Sequence, residues 1–125
     1  MKKKLVSNEW KAGQMCLQKC IDGRYWMVTS GCTGWEPNKA RLLTAISIFG
    51  EWKQLPNPCV GKDPNITFGG QSTYILLFSE KNLFIFMADI WRPKSLKDSR
   101  YIWLPIQFKE DGTPFIEWID RWNPN

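Results

Sequence analysis

Tyr74-Ile75-Leu76-Leu77-Phe78-Ser79-Glu80-Lys81-Asn82-Leu83-Phe84-Ile85-Phe86-Met87-Ala88-Asp89 decides the fold. Two apolar runs rich in aromatic and branched side chains flank a short polar link at 79–82. That is the pattern of two strands joined by a hairpin. Towards the C-terminus, residues 101–106 read as a further strand, and Asp111-Gly112 marks a turn before another at 115–118. Towards the N-terminus, a strand at 25–29 follows the turn signal Asp22-Gly23. Residues 41–48 fit a helix or a strand, and the β-branched residues with the stop at Gly50 favour a strand. Short strands separated by turn signals, with no helix of normal length, imply an all-β sandwich, barrel or propeller. Residues 1–21 show no clean period and are expected to be poorly ordered or degenerate.

Hydrophobic residues make up 43% and charged residues 23%, an ordinary globular composition that excludes a disordered chain. Eight Trp, seven Phe and three Tyr raise the aromatic share to 14%. Trp suits a core, and it also suits a cleft that stacks on sugar rings. The net charge of +5 comes partly from Lys2, Lys3 and Lys4, and the remaining charges are mixed in sign. A nucleic-acid partner is therefore not expected, because such proteins carry a clustered basic face. No run is long and apolar enough to span a membrane. The basic start is followed by Ser7, Asn8 and Glu9 and not by an apolar segment, so it does not read as a signal peptide.

There are four cysteines, Cys16, Cys20, Cys32 and Cys59, and no histidine. Cys32 and Cys59 lie in unrelated contexts, so no metal site is expected. Cys32 and Cys59 can be read as a disulfide in an exported protein or as buried thiols.

Three connections between strands carry the functional signal. They are 30–38, with Thr33, Trp35 and Glu36; 68–73, with Gly69, Gly70 and Gln71; and 89–94, with Asp89, Trp91 and Arg92. Glycine lets the backbone approach a ligand closely. Amides and hydroxyls both donate and accept, as sugar hydroxyls do. Each connection alone is also an ordinary turn.

The motifs Met27-Val28-Thr29-Ser30-Gly31-Cys32-Thr33-Gly34-Trp35-Glu36-Pro37-Asn38, Asn57-Pro58-Cys59-Val60-Gly61 and Phe68-Gly69-Gly70-Gln71-Ser72-Thr73 resemble the galactan 1,3-β-galactosidase branch of glycoside hydrolase family 43. So does the run 87–106, with Asp98-Ser99-Arg100-Tyr101-Ile102-Trp103-Leu104-Pro105. Ordered motifs at coherent spacing weigh more than a single short pattern.

The resemblance implies a five-bladed β-propeller. Residues 22–125 would form its C-terminal blades, about two to two-and-a-half of them. It also implies inverting hydrolysis of a β-1,3-galactan or related β-galactoside, with no cofactor. In such a reaction one acid protonates the leaving oxygen and a second group handles the water. The resemblance assigns the second position to Gln71 and places Thr33, Trp35, Asp89, Trp91 and Arg92 against substrate. The general-acid position, counted back from Gly23, falls on Gln14, whose amide cannot act as a carboxylic acid. The expected protein is thus a hydrolase-like fragment inactive by itself, or alternatively a non-catalytic carbohydrate-binding module. Members of the family are usually secreted or periplasmic. A part-ring leaves one apolar blade face without a neighbour, which implies self-association or a partner that supplies the missing blades. Asp98 and Arg100 read as a pair within their loop.

Overall fold

The computed structural model describes residues 12–19, 23–31, 33 and 36–124. Two sheets account for its strands. The first is an antiparallel meander of β1 (Ala12–Lys19), β2 (Tyr25–Gly31), β3 (Arg41–Ala45) and β4 (Lys53–Leu55), in that order. The second contains β5 (Cys59–Val60), β6 (Gln71–Phe78), β7 (Leu83–Ile90), β8 (Arg100–Phe108) and β9 (Pro114–Glu117), in the order β5-β9-β8-β7-β6. Strands β6 to β9 form a second antiparallel meander, and β5 adds to its outer edge in parallel with β9. Two consecutive meanders packed face to face are the building plan of adjacent propeller blades.

Strand alternation explains the packing. Phe86 lies opposite Ile75 on one side and Leu104 on the other, and Ala88 lies opposite Ser72 and Ile102. These rows point the same way and meet Trp26, Val28 and Leu42 from the first sheet in one core. Phe86 is wholly buried there. Burying an aromatic side chain of this kind contributes on the order of 2–3 kcal/mol. The opposite face of the first sheet buries Met27, Leu43, Ala45 and Trp52 in a smaller cluster, with Tyr25 and Ile48 packed against it.

The hairpin 74–89 forms as its sequence implies. A short 3-10 turn, Ser79–Lys81, is followed by Asn82 in the left-handed region at φ 53, which Asn tolerates. The strand expected at 41–48 is shorter. It ends at Ala45, and the chain turns so that the Gly50 N–H donates to the Ser47 carbonyl at 2.9 Å. Ile46 and Phe49 are consequently exposed in that turn.

Strand β1 falls inside the segment 1–21, which was expected to be poorly ordered or degenerate. Its backbone pairs with β2 from Ala12 to Lys19. Ladder bonds are made by the main chain, so they form without an apolar period. Residues 1–11 lie outside the described residues.

Candidate functional site

The site lies at the end of the two sheets where β2 finishes, β6 begins and β7 finishes. Gln71 opens β6 and lies directly opposite Asp89 of β7, which lies opposite Tyr101 of β8. Directly opposed residues in an antiparallel ladder project to the same face, so Gln71, Asp89 and Tyr101 make one row. Trp91 and Arg92 continue from the end of β7 beyond that row, and Trp91 is half exposed.

The loop between β2 and β3 is brought to Gln71 by hydrogen bonds. Asn38 holds it closed: the Gly31 N–H donates to Asn38 Oδ1 at 2.8 Å, and Asn38 Nδ2 donates to the Gly31 carbonyl at 3.1 Å and to Thr33 Oγ1 at 2.6 Å. Thr33 Oγ1 donates to the Glu36 carbonyl at 2.7 Å. Gln71 Nε2 donates to the same carbonyl at 3.3 Å. Thr33 and Gln71, distant in sequence, are therefore linked through one oxygen atom.

The connection before β6 is strained and well held. Asp63, Thr67 and Phe68 all have positive φ, at 51°, 52° and 58°. For a β-branched residue such as Thr67 this backbone is a true outlier. Packing and one hydrogen bond fix it. Thr67 is buried, and its hydroxyl donates to the Asn38 carbonyl at 2.6 Å. Phe68 is buried against Trp118, with ring centroids 5.6 Å apart. Gly70 follows with no room for a side chain, because a Cβ there would meet the Asp89 carbonyl oxygen at 3.0 Å and Ile102 Cδ1 at 3.1 Å. Deeper in, the Ser72 hydroxyl donates to the Val28 carbonyl at 3.4 Å and ties β6 to β2.

Both strands nearest the site carry an irregularity of register close to this end. One falls between Ala12 and Met15 in β1, the other between Ser72 and Tyr74 in β6. Bulges re-aim side chains next to functional sites. Ala12 pairs with Gly31 and Met15 with Thr29, so Gln14 lies in the β1 irregularity, opposite Ser30. Ser30 and Thr29 are buried, and their hydroxyls meet no partner among the described residues.

Gln71, expected at the second catalytic position, and Thr33, Asp89, Trp91 and Arg92, expected against substrate, lie at this one end. Trp35 and Cys32 lie outside the described residues. Arg92 is engaged through Nε, which donates to the Asp98 carbonyl at 3.0 Å. Asp98 and Arg100 do not pair with each other. The Asp98 carboxylate accepts from the Ser95 hydroxyl at 2.6 Å, and Arg100 donates to the carbonyls of Lys97 and Ser99. A serine hydroxyl takes the carboxylate and loop carbonyls take the guanidinium, so each charge is held by its own loop partners. Cys59 is a free, buried thiol, and burial pushes its pKa up to about 12. No cluster of His, Cys, Asp or Glu suited to a metal occurs among the described residues.

A hollow of about 700 Å³ opens at the same end but further out, between the loop at 31–41 and the segment 54–65. Thr33, Arg41, Asn57 and Cys59 line it, whereas Gln71, Asp89 and Trp91 do not. The site at Gln71 is thus an open rim and the hollow is its neighbour. Asn38 and Thr67 build the rim without having been singled out from the sequence, and Gly70 builds it with them. Gly70, in a Gly-Gly pair before a polar strand start, was the one of the three with a readable signal and was named in the connection 68–73.

No protein-family model and no curated protein sequence matches the chain. Solved structures do. A GH43 β-1,3-galactosidase determined with galactodeoxynojirimycin is 69% identical, with a TM-score of 0.86 over 90% of this chain and 32% of its own. A second GH43 β-1,3-galactosidase is 33% identical, with a TM-score of 0.83 over 91% of this chain and 24% of its own. An exo-β-1,3-galactanase from Phanerochaete chrysosporium, determined with galactose, is 31% identical, with a TM-score of 0.75 over 88% of this chain and 24% of its own. The chain spans about a third or less of the length of these relatives.

Proposed function

The chain shares sequence and fold with the β-1,3-galactosidases of glycoside hydrolase family 43, as part of their five-bladed propeller, and from that premise we propose that it binds a β-1,3-linked galactoside at the rim of Gln71 and does not cleave it by itself. The observation that carries this reading is the shared contact of Thr33 and Gln71 on the Glu36 carbonyl, with Asp89 directly across the ladder from Gln71. These groups offer an amide, a hydroxyl and a carboxylate within one row and its adjoining loop. A galactose ring presents hydroxyls that both donate and accept, which such a set can satisfy. Trp91, half exposed at the end of β7, gives the apolar ring face a surface to stack on.

The reaction that the resemblance implies for a complete propeller is hydrolysis of an O-glycosidic bond with inversion. It needs a carboxylic acid at the leaving oxygen and a group that holds water on the other side of the ring. Gln71 suits the second task as an orienting amide, since a neutral amide is a poor base. The resemblance assigns the acid position to Gln14, and an amide has no proton of suitable acidity to give. Gln14 also favours a second reading, in which the rim holds sugar as a non-catalytic module. Neither reading gives turnover by the chain alone; they share the site and differ in whether supplying the missing acid restores hydrolysis.

Calorimetric titration with β-1,3-galactobiose, alongside assay of galactose release from β-1,3-galactan, tests the proposal. Saturable binding without release is expected, with binding lost in Gln71→Ala. Absence of binding at millimolar sugar overturns the proposal, as does galactose release by the chain alone.

A further inference from the structure

The hollow beside the rim has a chemistry of its own. One wall is the loop at 31–41 with the end of β4, and the other is the segment 57–65 that leads towards β6, so both belong to the described chain. Side-chain amides pin each wall. Asn57 Nδ2 donates to the Pro64 carbonyl at 2.8 Å, and Asn57 Oδ1 accepts the Cys59 N–H at 3.0 Å. On the facing wall Asn38 holds Gly31 from both of its backbone groups, and the Thr67 hydroxyl holds the Asn38 carbonyl. The volume of about 700 Å³ is that of a small-molecule site, and walls formed in advance lower the ordering cost of binding.

The lining is cationic. Lys39 and Arg41 contribute to it, and no Asp or Glu does. Glu36, Glu51 and Asp63, the acidic residues nearest in sequence, lie outside it. Neither the Lys39 nor the Arg41 side chain has a hydrogen-bond or ion-pair partner among the described residues. Arg41 is half-buried all the same. A guanidinium offers a planar fork that matches a carboxylate with two parallel bonds, and an ammonium adds a point charge beside it. The amides of Gln54 and Asn65 suit hydroxyls, and Leu55, Pro56 and Pro64 give a ring an apolar surface. Thr33 lines the hollow, and its hydroxyl donates to the Glu36 carbonyl that Gln71 also reaches. Hollow and rim are thus contiguous.

We propose that the hollow takes a uronic acid, a sugar ring whose carboxylate is held by Arg41 and Lys39, carried as a substituent of the galactoside at the rim. The attachment rests on the reading of the rim given above, whereas the charge preference rests on the lining of the hollow alone. A neutral branch leaves both cations unpaired and gains only the amide and ring contacts. An acidic branch adds charge-assisted bonds, which favour it by about tenfold.

Amide chemical shifts of the full chain, titrated with sodium glucuronate up to about 50 mM, test the hollow without the rim. Saturable changes at Lys39, Arg41 and Asn57 are expected, with none from glucuronic acid methyl ester and weaker ones from inorganic phosphate. Calorimetry then compares β-1,3-galactobiose with the same disaccharide bearing glucuronic acid. The acidic ligand should bind about tenfold tighter. Arg41→Gln should remove that gain and leave galactobiose affinity unchanged, and exposed Lys39→Gln takes its place should the first variant not fold. No glucuronate-dependent change at the hollow overturns the inference, whatever galactobiose does at the rim. Equal changes from the methyl ester or from phosphate overturn it as well, as does an acidic branch that adds no affinity. Glucuronate held in the hollow of a chain that ignores galactobiose keeps the uronic acid site and sinks the rim reading.

Discussion

Gln71 and Thr33 donate to one and the same acceptor, the main-chain carbonyl of Glu36, at 3.3 and 2.7 Å. One belongs to the second sheet and the other to the loop that leaves the first. The rim is therefore a joint product of two blades, and its geometry depends on how the loop at 31–40 is fastened to the start of β6.

Thr67 is that fastening. Its buried hydroxyl donates to the Asn38 carbonyl at 2.6 Å, and Asn38 in turn holds Gly31 and Thr33. Thr67→Val keeps the shape and removes the donor, leaving a carbonyl unpaired at a cost of about 1–3 kcal/mol. Denaturant unfolding should show that loss, and galactobiose affinity should fall although Thr67 is buried. Thr67→Ser, which keeps the hydroxyl, should restore most of both. Unchanged affinity in a destabilised Thr67→Val chain would separate the loop from the site.

Gly70 is required by a close approach and not by its backbone angles, which are extended at φ −125° and ψ −177°. Gly70→Ala places a methyl 3.0 Å from the Asp89 carbonyl oxygen, a main-chain atom that cannot move alone. Overpacking of this kind costs about 1–3 kcal/mol. It should also spread β6 from β7 at the pair Gln71 and Asp89. A lower unfolding midpoint and weaker sugar binding are expected together, and a neutral Gly70→Ala would refute the tight packing.

Much of the fold was legible in the residues. The hairpin at 74–89 could be read because strand alternation, branched side chains and a polar link all point one way. Strands β4 and β5 could not, since Lys53–Leu55 and Cys59–Val60 are too short to show a period and exist only by pairing with β3 and β9. β1 lacks a pattern for a related reason, because its order comes from main-chain pairing with β2. At the site, Gln71 and Asp89 could be singled out by type. Their direct opposition depends on register, which a bulge between Ser72 and Tyr74 shifts, and no local signal announces that. The part played by the Glu36 carbonyl was invisible for the same reason, since any residue supplies a carbonyl.

Cys59 gives the chain a pH signature. In the unfolded chain its thiol ionises near the ordinary value of 9.0, whereas in the folded chain burial holds the proton until about 12. The folded state thus binds more protons than the unfolded one between those values. This stabilisation is fully present below pH 9 and is lost as pH rises towards 12, at up to about 1.4 kcal/mol per pH unit. Stability measured by urea between pH 8.5 and 10.5 should fall more steeply in the native sequence than in Cys59→Ala. Site-resolved alkylation at pH 8 should find Cys59 protected until the chain unfolds. Rapid native labelling of Cys59 would contradict its burial.

The central claim is that sugar is held at the rim where β6 begins and β7 ends. Amide and indole chemical shifts of isotope-labelled chain, followed during titration with β-1,3-galactobiose, test it most directly. Saturable changes at Thr33, Gln71, Asp89, Arg92 and the Trp91 indole, with Asn82 and Gly112 unmoved at the opposite end, are the expected result. No saturable change, or changes centred on Asn82 and Gly112, would contradict it.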